Sequence, residues 1–403
     1  MSIPFEEARA IVARVAAEHR LPAGPRPLAR AHGHVLARDL AAPIALPPFD
    51  NSAMDGYAVR SADLAASGDS VLQLAGEQFA GRTLGLALAA GQCVRITTGA
   101  PLPAGADAIA IREHVQVDGG RITIPQGTTR PGLHVRRAGE DVQAGDRVLQ
   151  SGWVLTPMRI ALAAALGVDR LEVARRPTVA VFTTGDELVE PGLPLQPGEI
   201  YNSNRELLMG LLRADGIEPV AWPTLPDDPG RMTAMLRDAA SSFDVVLTCG
   251  AVSAGEKDHV PEIVRREGTL HFWKVRMKPG MPLLFARMGN AQLLGLPGNP
   301  VSVLATWLTL GRGLLDGLQG RGEPRGSWHA RMAAPFDKRN ARREFLRGRL
   351  LPGADGSLQV EPNPADGSHR LAAAARSDVL IVLPEGERAF ASGDPVEVLP
   401  IPG

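Results

Sequence analysis

Cysteine is nearly absent from this 403-residue chain: Cys93 and Cys249 stand far apart, and neither has a C-x-x-C companion. That argues against a disulfide framework or a structural zinc site and fits a reducing cytoplasm. Long apolar runs are missing too. Nothing approaches the ~20 residues that span a bilayer, and Glu6 and Glu7 stand where a secretory signal needs positive charge, so neither export nor anchoring is expected. Neither sign of charge dominates. With 22% charged residues and a formal net charge of -1, the chain is no general polyanion binder and has no acidic solvating tail. There is no H-E-x-x-H, no G-x-S-x-G elbow and no G-x-G-x-x-G after a strand, which removes zinc-hydrolase, serine-hydrolase and Rossmann readings. His32 and His34 flank a glycine and read as surface residues.

Lysine is the most informative scarcity. The chain holds four, Lys257, Lys274, Lys278 and Lys338, against 39 arginines, and three of the four lie between 257 and 278. In "FWKVRMKPG", residues 272 to 280, strand alternation would place Lys274, Arg276 and Lys278 on one face. A compact ammonium is a point-charge partner for phosphate, whereas guanidinium is a planar fork. Such a row of like charges is costly without an anion against it. The competing reading is a charged edge strand that blocks aggregation.

Length and rhythm then organise the chain. At ~100 to 200 residues per domain, two to four domains are expected. Residues 2 to 20 place Phe5, Ala8, Ile11, Val12 and Val15 on one helical face, with Ser2 as the expected N-cap. From about 45 to 144, glycines punctuate short alternating segments such as "CVRITTG" and "IAIREHVQV", the pattern of a small β domain. "TPMRIALAAALGV" is helical again, so residues 1–44 plus 145–175 read as a helical linker domain around an inserted β domain at 45–144. Residues 176–320 alternate strand and helix patterns, and 325–403 return to strands, a small barrel or sandwich.

Within 176–320, three apolar runs end alike. "TVAVF" breaks into "TTGDEL", "FDVVLT" into "CGAVSAGEKD" and "QLLGL" into "PGNPVS", and helical patterns follow, the first opened by a capping box of Ser203 and Glu206. In open parallel α/β sheets the loops at the carboxyl ends of the strands share one edge, where ligands bind. Gly250 and Gly255 allow close backbone approach, and free N–H groups with the hydroxyls of Thr183, Thr184, Ser253 and Ser302 suit an oxyanion. The interval from Gly250 to Gly255 is that of a nucleotide P-loop, yet Glu256 and Asp258 stand where Lys and Ser or Thr belong. An anion site with a metal between carboxylate and phosphate is the reading that survives.

Carboxylates supply the other half. Asp186 and Glu187, Asp227 and Asp228, and Asp258 sit in the loops, and Mg2+ takes such oxygens together with substrate phosphates. Asp228 before Pro229 reads as a helix N-cap, Asp186 as a turn former, and Asp258 as either ligand or cap. Outside the α/β segment, "PPFDNSAMDGYAV" reads as a turn-rich loop with a hairpin turn at Asp55–Gly56, and "RRAGED" sets Glu140 and Asp141 near Arg136 and Arg137. In the tail, Arg347 and Ser368 could reach an anion, against the default of a solvated basic strand.

Eight segments in order, "FDNSAMDGYAVR", "TTGAPLPAGADAI", "RRAGED", "TTGDELVEPG", "IYNSN", "GAVSAGEKD", "WKVRMKPG" and "GLPGNPVS", resemble the MoeA-type molybdopterin molybdenumtransferases, relatives of the C-terminal domain of gephyrin. The resemblance implies a central three-layer α/β domain of the molybdopterin-binding type, a small inserted β domain, a helical N-terminal domain and a C-terminal β barrel. It also implies insertion of molybdate into adenylylated molybdopterin with Mg2+, AMP release, and a homodimer whose site is shared between subunits. Molybdopterin adenylyltransferase and molybdoenzyme acceptors are the implied partners. Matching motif by motif, it marks Asp55, Thr98, Asp141, Glu187, Asp258, Lys274 and Lys278 as catalytic. Gly250, Ser253, Gly255, Pro297, Asn299, Pro300, Arg347 and Ser368 would contact substrate, and Glu187, Asp227 and Asp258 would hold metal. Similar proteins often have paired glycines where Cys249 and Gly250 stand, a further Gly at Ala251 and a lysine at Met281, so this chain offers fewer cations. Two other readings stay open at this stage, a gephyrin-type dimeric scaffold and adenylylation of molybdopterin.

Overall fold

The structure, a computed structural model, describes residues 2–253, 255, 258–364 and 367–402. Glu256 and Lys257, which entered the loop and lysine readings, lie outside the described residues. A six-stranded sheet forms the centre. Its order is Val220–Ala221, Val179–Thr183, Val245–Cys249, Ala291–Leu296, Leu284–Met288, Gly268–Trp273. The first four strands run parallel, Leu284–Met288 runs antiparallel to them, and Gly268–Trp273, antiparallel to that strand, returns to the common direction. These strands read as apolar runs because both faces are covered. Val179, Val181, Val245, Leu247, Leu294 and Leu296 face one core with the helix Ser203–Ala214 and the helical stretch from Pro300 to Leu318. Ala180, Phe182, Val246 and Leu293 face the other, under Pro229–Ser242 and Val260–Glu267.

Helix starts follow local chemistry, with two differences from expectation. The Asp228 side chain caps Pro229–Ser242 by accepting the Arg231 N–H at 2.7 Å, as read from the sequence. Ser203–Ala214 is capped one residue earlier than expected, by the Asn202 side chain accepting from Arg205 N, so Ser203 and Glu206 form no capping box. The first helix, Phe5–Glu18, begins after Pro4 with no side-chain cap. Ser2 is displaced from that role because Ile3 pairs with the backbone around Val275, its N–H donating to the Lys274 carbonyl.

The first helix buries Phe5, Ala8, Val12, Val15 and Ala16 in the α/β core, and its neighbour there is Arg312–Leu318. The helix Pro157–Ala165 belongs to a different core with Leu36, Leu149, Leu155 and Leu171. His34 lies in this linker region and is buried, not on the surface. Burial, with Arg176 and Arg26 nearby, holds its pKa down at about 4, and among the described residues its Nδ1 has no hydrogen-bond partner.

Two β units complete the chain. One sheet is ordered Ala108–Ile111, Gly56–Val59, Gln92–Ile96, Ser70–Gln78, Arg121–Ile124, Gln116–Asp118. Gly56 sits inside a strand between two partners instead of in a hairpin turn; a Cβ there would meet the Ala110 carbonyl oxygen at 2.1 Å. The tail closes as a five-stranded barrel, Arg343–Pro352, Leu358–Pro362, Trp328–Met332, Pro395–Pro400, Val379–Leu383 and back to the first. Among the described residues no helix is long and apolar enough to cross a membrane.

Gly317 fixes how the first helix docks, because a Cβ there would lie 2.5 Å from the Ala16 Cβ. Gly317→Val should therefore cost about 2 kcal/mol in a denaturant titration. A midpoint unchanged from the parent would show that the two helices do not rely on this close approach.

Candidate functional site

The strand order places the second strand in sequence outside the first and the third on its other side, which opens a crevice at the carboxyl ends of Val179–Thr183 and Val245–Cys249. A cavity of about 550 Å³ occupies it, lined by Thr184, Gly185, Glu187, Tyr201, Asn204, Asp227, Gly250, Ala251, Asp258, Asn299, Pro300 and His369 among others. Beside it lies a second cavity of about 620 Å³ between the α/β domain and the barrel, walled by Ser253, Lys278, Pro297, Asn299, Ser302, Arg342, Glu344, Arg347 and Ser368. The turn at Gly298 and Asn299 belongs to both. One cavity collects Glu187, Asp227 and Asp258, the other Lys278, Arg342 and Arg347 with Glu344 among them.

Gly250 is required at its place. Its φ is +95°, and a Cβ would meet Thr184 Oγ1 at 2.4 Å. The donors expected of this loop are largely committed elsewhere, however. Gly250 N–H donates to the Leu296 carbonyl, Gly255 N–H to Asp258 Oδ2 at 2.7 Å, and the Thr184 hydroxyl to the Cys249 carbonyl. Thr183 Oγ1 accepts from Asn202 Nδ2 at 2.8 Å in a buried pair. Backbone donors without a partner among the described residues shift to Ala251, Ser253 and Gly298. Asp258, by binding Gly255, folds the loop back on itself, and the N-cap of Val260–Glu267 is His259 without a side-chain bond. Asp186 shapes the neighbouring turn by accepting the Asp227 N–H at 3.4 Å.

The expected row of cations is not a row. The strand ends at Trp273, Lys274 has a φ of +74°, and its ammonium sits 4.4 Å from the Trp273 ring centre. Arg276 pairs with Glu385 at 3.3 Å. Lys278 reaches the cationic cavity because Met277–Lys278 pairs in parallel with Arg343 and Glu344 of the barrel, where its Nζ meets Glu344 Oε1 at 2.8 Å. Separate partners, not one shared anion, answer the like-charge repulsion.

The tail residues have structural contacts as well. Arg347 is buried, not a solvated strand residue, and its guanidinium donates to the carbonyls of Arg370 and Gly367, holding the segment that carries Ser368. Ser368 Oγ accepts from Asn299 Nδ2 at 3.0 Å, and Pro300 opens the helix Pro300–Thr306. Asp55, Thr98 and Asp141 line neither cavity. Asp55 accepts the Thr98 N–H at 2.7 Å and its hydroxyl at 2.8 Å, and these bonds hold its carboxyl below the usual range, so it stays ionised. Burial pushes the Cys93 thiol up to about 12 and raises Cys249 as well, so neither is a nucleophile at neutral pH.

Several lining or supporting residues were not picked out from the sequence. Trp273 Nε1 donates to the Val252 carbonyl at 2.7 Å, with Arg265 and Lys274 against its ring, and so anchors the glycine loop. Asn204 Nδ2 donates to the Gly298 carbonyl at 2.6 Å. Arg342 lines the cationic cavity. The two asparagines of "IYNSN" before a helix were a visible signal; Trp273 and Arg342 had none without the fold.

A doubly wound α/β domain with its cavities at the strand carboxyl ends, joined to a β module and a barrel, defines a multidomain ligand-binding α/β protein. Family models specify it further: the MoeA N-terminal region (domain I and II) matches residues 3–167, a probable molybdopterin binding domain 180–317, and the MoeA C-terminal region (domain IV) 329–401. A molybdopterin molybdenumtransferase of Haemophilus influenzae is 38% identical over 93% of this chain and 92% of its own length. Molybdopterin molybdenumtransferase 2 of Mycobacterium tuberculosis is 40% identical over 92% and 93%. A crystal structure of a molybdopterin biosynthesis MoeA protein from Pyrococcus horikoshii superposes with a TM-score of 0.85, at 27% identity, over 100% of both chains. The chain belongs to the MoeA family of molybdopterin molybdenumtransferases, as its motifs indicated.

Ala251 follows Gly250 with a φ of +52°, a conformation disfavoured by about 1–2 kcal/mol for a residue with a Cβ. Ala251→Gly should raise stability by about 0.5–1 kcal/mol despite the greater freedom glycine has when unfolded. A lower unfolding midpoint in that variant would refute stored strain at this position.

Proposed function

We propose that this transferase inserts molybdate into adenylylated molybdopterin with Mg2+ and releases AMP. The observation that carries the reading is the adjoining pair of cavities, one acidic and one cationic, meeting at Gly298 and Asn299. The phosphoanhydride end of the substrate would occupy the acidic cavity, and the oxyanion the cationic one.

The donor set decides how Mg2+ could be held. Among the described residues no three His, Cys, Asp or Glu side chains converge as a metal-holding group, so Glu187, Asp227 and Asp258 share a cavity without forming a cage. Mg2+ binds through one or two carboxylates, waters and substrate phosphates, and these residues fit that mode. When bound, the ion neutralises charge on the phosphates. The chain's own groups do the rest. The free N–H groups of Ala251 and Gly298 bind phosphate oxygen, Ser253 and Lys278 bind the oxyanion, and the Arg347 contacts keep Ser368 in place. Lys274 acts through Trp273 on the glycine loop.

Asp55 supports a homodimer in this reading. It is an ionised, exposed carboxylate in a segment that also exposes Phe49 and Met54, and it lines neither of the two cavities, so it would complete the site of a second copy.

With adenylylated molybdopterin and Mg2+ supplied, AMP should appear only when molybdate is added. Pyrophosphate produced from ATP would indicate adenylylation instead. Asp258→Asn should lower molybdate-dependent turnover about 100-fold, with the circular dichroism spectrum and sedimentation unchanged; full activity in this variant would remove Asp258 from the chemistry.

A further inference from the structure

The cationic cavity has three positively charged side chains in its wall, Lys278, Arg342 and Arg347. Two are already engaged by the protein. Lys278 pairs with Glu344, which is almost fully buried, and Arg347 is buried and donates to the carbonyls of Arg370 and Gly367. Arg342 differs from both. It is half-buried at the mouth of the barrel strand Arg343–Pro352, and its side-chain contact is Nη1 to the Met281 sulfur at 3.8 Å. No carboxylate lies within ion-pair distance of it among the described residues. A thioether is a weak acceptor, so the guanidinium keeps its donors for something else.

We propose that Arg342 is the principal oxyanion-binding side chain of this cavity, taking a tetrahedral dianion of the molybdate class on its planar fork. The inference rests on the oxyanion occupying the cationic cavity. Backbone supports it: Arg342 N–H accepts no role in a strand but donates to Asn340 Oδ1 at 3.1 Å, and Asn340 in turn donates to Glu344. The turn carrying Arg342 is thus tied to the buried carboxylate that holds Lys278. Guanidinium and ammonium are fixed to one frame, on which Ser253, Ser302 and Ser368 add hydroxyls. Met281 contributes position, since it holds the arginine without competing for its charge.

The test is calorimetric titration of the full-length chain with sodium molybdate at fixed low ionic strength. R342M should raise the Kd about 10- to 100-fold, the range for loss of a charge-assisted pair, with its melting temperature unchanged. R342K should fall between, since it keeps charge and loses the fork. M281K in the R342M background should recover most of the loss by returning a cation to the same wall, while R349M, whose side chain lies outside this cavity, should bind as the parent does. Unchanged affinity in R342M, or a loss that M281K leaves wholly unrepaired, overturns the assignment. Arg342-dependent binding without molybdate-dependent AMP release would instead overturn the transfer reaction and leave Arg342 in its role.

Discussion

The parallel pairing of Met277 and Lys278 with Arg343 and Glu344 is the contact on which the rest of the site depends. It carries the α/β chain onto the barrel and sets an ammonium against a carboxylate that is 2% exposed. A charge that deep must be paired and hydrogen-bonded to be tolerated, and Asn340 Nδ2 supplies Glu344 with a further donor. The cationic cavity is therefore an interdomain feature. Neither the sheet nor the barrel alone would make it.

Separation of charge follows from the same geometry. In the cationic cavity one carboxylate, Glu344, is already paired with Lys278, and the carboxylates without such a cation lie in the other. The turn at Gly298 and Asn299 divides the two cavities, with Asn204 fixing the Gly298 carbonyl and Asn299 reaching Ser368. Glu187 and Asp227 stay on the side of the strand ends, and Lys278, Arg342 and Arg347 on the side of the barrel. Two ligand ends of different electrostatic need can then lie next to one another without neutralising the protein groups that bind them.

The parts legible in the sequence were those governed by local pattern. Strands buried on both faces, such as Val179–Thr183 and Val245–Cys249, read as apolar runs, and the glycine loops after them marked the crevice. The capping role of Asp228 was likewise written in Asp-Pro. What sequence did not disclose was how each polar group is spent. Period-two alternation put Lys274, Arg276 and Lys278 together, but the positive φ of Lys274 breaks the strand and sends them to Trp273, Glu385 and Glu344. Gly250 and Gly255 were expected to offer N–H groups that in fact go to the Leu296 carbonyl of the next strand and to Asp258 within the loop. Tertiary partners also decided where the first helix docks and why His34 is buried.

Lysine scarcity takes on a different meaning in this light. Lys338 does not line the cationic cavity but lies behind it, within reach of the charges of Glu344 and Lys278; it is buried, and its ammonium donates to the carbonyls of Asn340 and Gly386. A compact head with three rotatable donors suits two carbonyls that lie far apart in sequence. Lys274 stacks on one aromatic face and Lys278 fits one carboxylate oxygen. In each of these three places a point charge is set by packing. The chain uses arginine where a planar fork is free to spread, and Arg342, half-buried against a thioether, is the fork that faces the cavity.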